Sequence, residues 1–159
     1  MTHFRTLAIA AGLALTTLTA APVLAQDTAT AEAIAPKMGL FINLTTDDTW
    51  SAAKAISFAH KRVLANGHKP VAIWLNVRAV YLADAKRPSH IHGMMAEEGT
   101  SIQDMLTAFM ADGGQVIMCS ACSAAAGLTQ DDYIHGVTMG TWPVVEGLLF
   151  DPNVQTLSW

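Results

Sequence analysis

The sequence predicts an α/β protein, a three-layer sandwich built on a mostly parallel five-stranded sheet. Short continuous apolar runs alternate with longer segments of helical periodicity, and the first two runs are joined by a crossover long enough to be a helix. Gly39–Leu44 (GLFINL) reads as a buried strand, followed by the cap-rich Thr45, Thr46, Asp47 and Asp48. Trp50, Ala53, Ile56, Ala59 and Val63 then recur every three or four residues, a helix face that ends at Asn66-Gly67. Pro70–Leu75 is the second strand, parallel to the first. Val77–Ala85 suits one or two helical turns, and Lys86–His92 is a polar loop marked by Pro88. Thr100 with Gln103 predicts a capping box before a helix whose apolar face is Ile102, Met105, Leu106, Phe109 and Met110. Gly113-Gly114 stops it, and Gln115–Met118 is the third strand. A short helix over Ser120–Ala126 follows, and Thr129 caps a further turn through Tyr133. Gly136–Met139 is a fourth strand, Trp142–Leu149 a helix and Val154–Trp159 a fifth strand.

The N-terminus reads as a signal for export. Arg5 precedes an uncharged stretch, Leu7–Thr19, and Val23 and Ala25 place small residues before Gln26. The stretch is short for a membrane span, which needs about 20 apolar residues. Residues 1–25 are thus expected to be a signal peptide, 26–36 a flexible leader and 37–159 one domain, with no integral membrane segment after cleavage. Loss of Arg5 would take the formal charge from −4 to −5. With 52% hydrophobic and 14% charged residues, disorder is excluded, and the acidic balance argues against a nucleic-acid partner. The expected location is periplasmic or secreted.

The chemistry is expected in Cys119-Ser120-Ala121-Cys122, directly after a buried strand. Ligand sites of open α/β sheets lie beyond the carboxyl ends of strands, and backbone N–H groups at a helix start favour thiolate over thiol. Two intervening residues let one sulfur act as nucleophile and the other resolve it as a disulfide. An inert bridge and thioredoxin-like redox chemistry are the competing readings, although this motif follows the third strand and lacks an aromatic or Gly-Pro context. One C-x-x-C supplies only two of the four ligands of a structural zinc.

Val116–Leu128 (VIMCSACSAAAGL) resembles the cysteine motif of the DsrE/DsrF-like family, with Gly127 eight residues after Cys119. The resemblance runs over about residues 37–159, through Gly136–Gly140 and the last strand. It implies a small α/β fold assembled as a homotrimer or homohexamer, with a sulfur donor or acceptor thiol as partner. It also implies a persulfide carried on Cys119, with Cys122 matching a second cysteine found in some members. The activity would be of sulfurtransferase or sulfur-carrier type, without a cofactor. Two departures stand out: relay members are cytoplasmic, and the basic residue usual in the short helix is replaced by Ala124–Ala126.

His90, His92 and Met94 form a second constellation, either a lid over the site or, with Cys119, a soft ligand set suited to copper. A periplasmic copper or small-thiol binding protein using Cys119, Cys122, His90 and His92 is therefore the alternative function. His135, near the start of the fourth strand, is a candidate proton partner for Cys119 if it faces the carboxyl edge. His60 and His68 are explained by a polar helix face and helix end, and Thr45–Asp48 by capping. The Asn43-Leu44-Thr45 sequon falls in a buried strand and is discounted. Trp74, Trp142 and Trp159 suit core or subunit-interface positions.

Overall fold

A computed structural model describes residues 37–87, 89–90 and 101–159, all within one compact unit, Ala35–Trp159. The signal and leader segments, Pro88, His92, Met94 and Thr100 lie outside the described residues. Five strands form one sheet, β1 (Gly39–Leu44), β2 (Val71–Leu75), β3 (Gln115–Cys119), β4 (Thr138–Gly140) and β5 (Val154–Ser158). Their order is β4-β3-β2-β1-β5 and every neighbouring pair is parallel.

That order explains the layers. The chain steps outward from β1 through β2 and β3 to β4, then returns to add β5 on the far side of β1. Crossovers of one hand that run in one direction put their helices on one face, and the reversed step puts its helix on the other. Accordingly α1 (Thr49–Ser57), a seven-residue 3₁₀ helix (Val77–Ala83) and α2 (Ile102–Ala111) cover a large core that includes Ile42, Ile73, Leu106 and Met118. Among the described residues, α4 (Trp142–Leu149) alone covers the smaller core of Phe41, Ala72, Ile117, Val145 and Val154. Burial on both faces is why β1–β3 read as unbroken apolar runs. Gly39 opens β1 because a Cβ there would meet the Pro70 carbonyl at 2.5 Å.

The first crossover behaves as read, with two adjustments. Asp48 caps α1 by accepting from Ser51 N at 2.8 Å, and Gly67, at φ +81°, ends the segment. Between them the helix loosens into π turns over Phe58–Val63 and a 3₁₀ turn over Leu64–Asn66. Trp50, placed by its spacing on the buried face, is 70% exposed in the first turn. The cap of α2 falls one position later than expected. Ser101, not Thr100, receives Asp104 N at 3.1 Å. Gln103 is occupied elsewhere, donating to the Asp84 and Arg87 carbonyls and accepting from Ser89 N, so it ties the preceding loop to the helix.

Thr129 caps its turn as expected, and the structure makes the cap a capping box, with Asp132 accepting from both the Thr129 amide and hydroxyl. Lys86 Nζ adds a contact at 2.8 Å, and this ammonium, before the Thr129 donors, holds the Asp132 carboxyl down to about 2. A depressed folded-state value contributes stability that is present above the unfolded-chain value near 3.8 and is lost as pH falls through about 2. Asp132→Asn is therefore expected to be less stable than the parent at neutral pH and to converge with it by about pH 2, as read from urea midpoints across that window.

Candidate functional site

Cys119 ends β3 and opens the short helix α3 (Ser120–Ala125) as its N-cap residue, at φ −67°, ψ 109°. In that role its side chain does what a cap serine would do: Sγ accepts from the Cys122 backbone N–H at 3.2 Å. A run of small residues lets α3 sit tightly against the strand end. Ser123, fully buried, donates to the Cys119 carbonyl at 2.8 Å, and Tyr133 donates to Ser123 Oγ at 2.6 Å. Burial, ahead of any other influence, pushes the Tyr133 hydroxyl above its usual range, so it stays a donor. Ser120 Oγ holds the Gly140 carbonyl at 2.6 Å and so fixes β4 beside the motif. Gly140 is required there, since a Cβ would meet Ile117 Cγ2 at 2.7 Å and the Met118 carbonyl at 2.9 Å.

Cys119 and Cys122 are paired as a disulfide, with Cα atoms 5.2 Å apart. The two sulfurs open onto different spaces. Cys119 lines a cavity of about 250 Å³ with Trp74, Gly140, Thr141, Trp142 and Val145, apolar and aromatic in character. Cys122 lines another of about 300 Å³ with Val77, Arg78, Tyr81, Ala125 and Ala126. Arg78, which comes from the 3₁₀ helix after β2, is the charged side chain among the described lining of this second cavity.

Asn76 and Val77 complete the site and were not singled out by the sequence reading. Asn76 follows β2, caps the 3₁₀ helix by accepting from Val77 N at 2.8 Å, and donates to Asn43 Oδ1 at 3.1 Å. Its Oδ1 lies 3.1 Å from Cys122 Sγ, while Val77 N–H points at the same sulfur from 3.2 Å. A disulfide sulfur has no proton to give, so the Asn76 contact becomes a hydrogen bond when Cys122 is a thiol, and the Val77 donor serves it as a thiolate. The signal that could have found Asn43 and Asn76 is their place: polar amides at or beside the carboxyl ends of two apolar parallel strands.

Val77 adopts φ +51°, a left-handed conformation costly for a β-branched residue. Strain of this kind is kept where the surroundings impose it, and here it aims the Val77 N–H at Cys122. Because Val77 is 55% exposed, Val77→Asn gives up little burial and tolerates the conformation. The variant is expected to gain about 1 kcal/mol in a urea melt; a loss would mean that the backbone there is not strained.

The histidines separate. His90 bridges to Ser101 at the start of α2, which keeps it at the carboxyl edge of the sheet with the cysteines. His92 and Met94, needed for the copper reading, lie outside the described residues. His135 does not face the carboxyl edge. It precedes β4, beside Gly136, which lies against Met110 at the end of α2, and β4 runs parallel to β3, so His135 sits at the amino edge. Among the described residues no three His, Cys, Asp or Glu side chains converge as a metal site requires. Asp47 binds Arg78 with two hydrogen bonds, at 3.0 and 2.7 Å, and the guanidinium, by that bonding first, holds the Asp47 carboxyl below its usual value. Trp74 stacks on Phe41 and Trp159 packs near Phe58, whereas Trp142 is 61% exposed.

The model of the DsrE/DsrF-like family matches residues 38–151. Among solved structures, the crystal structure of the ychN protein from E. coli aligns with a TM-score of 0.56 at 20% identity, covering 76% of this chain and 99% of that one. The structure of MTH1491 from Methanobacterium thermoautotrophicum aligns with a TM-score of 0.49 at 13% identity, covering 77% and 99%. The first of these is a likeness of fold. No curated protein matches the chain.

Proposed function

Because this chain belongs to the DsrE/DsrF-like family, which suggests a role of sulfur-relay type, we propose that it carries sulfane sulfur as a persulfide on Cys119 and that Cys122 resolves it. The observation that carries this reading is the pair of sulfurs at the carboxyl edge, each facing its own cavity and each met by a backbone N–H at 3.2 Å. Such donors stabilise thiolate, the form that attacks sulfur.

In the reduced protein the Cys119 thiolate attacks the outer sulfur of a persulfide donor, R–S–SH. A bond forms between Cys119 Sγ and that sulfur, the donor's S–S bond breaks, and RS⁻ leaves. An acceptor thiolate can take the outer sulfur in the same way, returning Cys119 as thiolate. Alternatively the Cys122 thiolate attacks Cys119 Sγ, which closes the Cys119–Cys122 bridge and expels HS⁻. This second route yields the same Cys119–Cys122 bridge that the structure holds. The bridge is two electrons more oxidised than the dithiol, so a reductant must restore the working form.

In this proposal the activity is that of a sulfurtransferase or sulfur carrier, its chemistry supplied by the two cysteines. Residues 1–25 direct export, so the protein works in the periplasm or outside the cell. No helix among the described residues is long and apolar enough to cross a membrane. The chain assembles as a homotrimer or homohexamer. In support, α4 and the residue after it leave Trp142, Val144 and Phe150 exposed at 61%, 45% and 69%.

The test is intact mass of the reduced Cys122→Ser protein, which lacks the resolving thiol, after incubation with polysulfide. A gain of about 32 Da, one sulfur atom, removed by dithiothreitol, is the expected result. No gain, with copper bound instead in a titration, would overturn the sulfur reading.

A further inference from the structure

Tyr81 lines the Cys122 cavity. That ring also lines a second space of about 240 Å³, with Asp47, Thr49, Leu82, Arg87 and Ser89. Two guanidinium groups flank the ring, Arg78 at 5.8 Å and Arg87 at 4.8 Å from its centroid, and Asp47 is the carboxylate facing them. Asp47 gives both oxygens to Arg78 in hydrogen bonds and reaches Arg87 only by longer-range attraction, so two guanidinium groups face one carboxylate and the lining carries a net positive charge. Tyr81 thus stands between a cavity that holds a reactive sulfur and one that holds a second guanidinium. The Cys119 cavity differs, being lined by Trp74, Trp142 and Val145 with no charged side chain among its described lining.

We propose that this Cys122-side groove is the binding site of a small thiol carrying a carboxylate, and that this thiol is the reductant which reopens the Cys119–Cys122 bridge. The inference rests on the sulfur-carrying reading for its place in the cycle. The bound thiolate RS⁻ attacks Cys122 Sγ. An R–S–Cys122 bond forms, the Cys119–Cys122 bond breaks, and the electron pair leaves on Cys119 Sγ, where the Cys122 N–H holds it at 3.2 Å. A second RS⁻ attacks the thiol-derived sulfur of the mixed disulfide, releasing RS–SR and a Cys122 thiolate beside the Val77 N–H. Two thiolates are oxidised to one disulfide, and the protein gains the two electrons. Entry from this side delivers the leaving-group charge to Cys119, the sulfur that must next be nucleophilic. Attack from the Cys119 side would instead leave an adduct on that sulfur.

Charge selectivity tests the groove. The rate of bridge reduction is measured with mercaptosuccinate, 2-mercaptoethanol and cysteamine, each corrected for its thiolate fraction and intrinsic nucleophilicity. At low salt the anionic thiol is expected to react about tenfold faster than the neutral one and the cationic thiol slowest, with the difference shrinking as salt is added. Arg87→Gln is expected to remove most of that preference while sparing the neutral thiol, and Asp47→Asn, which releases Arg78, to increase it. Equal corrected rates for the three thiols would overturn the proposal. So would an Arg87→Gln variant that slows neutral and anionic thiols alike. Selectivity without any gain of sulfur on Cys119 would sink the carrier reading and leave the groove standing. A sulfur gain without selectivity would do the reverse.

Discussion

Cys119→Ser abolishes sulfur loading, while Cys122→Ser loads and fails to discharge to itself. The two variants are expected to differ this sharply because the sulfurs have different neighbours. Cys119 is buried to 9% exposure at the strand end and faces the apolar cavity, where a neutral or weakly solvated sulfur donor is screened from water. A serine at 119 can still cap α3 by accepting from the residue 122 amide, so the fold is retained and the loss is chemical. Without Cys122 the persulfide on Cys119 has no internal thiolate to displace it. The modified species should then persist in intact-mass spectra until an external thiol is added. Equal loading of Cys119→Ser and the parent would place the carrier elsewhere.

The second large effect concerns stability. Phe109→Ala is expected to cost about 3–5 kcal/mol in a urea melt. Its ring is fully buried in the α2 face of the larger core and meets His60 edge-on at 5.8 Å. It also packs so closely over Gly114 that a Cβ at 114 would collide with it, so the ring shapes the turn into β3. The cavity left by its loss cannot be refilled by a residue that has no side chain. Because β3 delivers Cys119, the midpoint shift should be accompanied by faster reduction of the bridge; a stability loss below about 1 kcal/mol would show that the turn relaxes into the space.

The elements that were legible from the sequence share one property, burial on a regular period. β1–β3 are apolar but for Asn43 and Gln115, α2 carries its stripe, and Thr129 stands as a cap residue before its turn. The cysteine motif was legible for the same reason, being set against a strand whose end is unambiguous. What periodicity could not show is anything decided between elements. Trp50 has the spacing of the buried face, yet it lies in the first turn of α1 and is exposed. Gln103 looks like a capping partner but finds better acceptors in the loop behind it. Asn76 and Val77 matter because β2 lies beside β3 in the sheet, a neighbour relation that no local pattern contains. His135 differs for a related reason: the start of a parallel strand lies at the edge opposite to its end, so a residue ahead of β4 lies across the sheet from Cys119 at the end of β3.

The bridge spans only Ser120 and Ala121, within a single turn of α3. Closing so short a loop removes little freedom from the unfolded chain, less than the roughly 3 kcal/mol of a fifteen-residue loop. The fold therefore gains little when the bond forms and loses little when it opens. Hydrogen bonds from Ser120 to Gly140 and from Ser123 to Cys119 keep the segment in place in either state. Oxidation state and architecture are in this way largely uncoupled. A bond that contributed much to stability would suit the proposed cycle poorly, whereas this one can open and close while the sheet beneath it stays as it is.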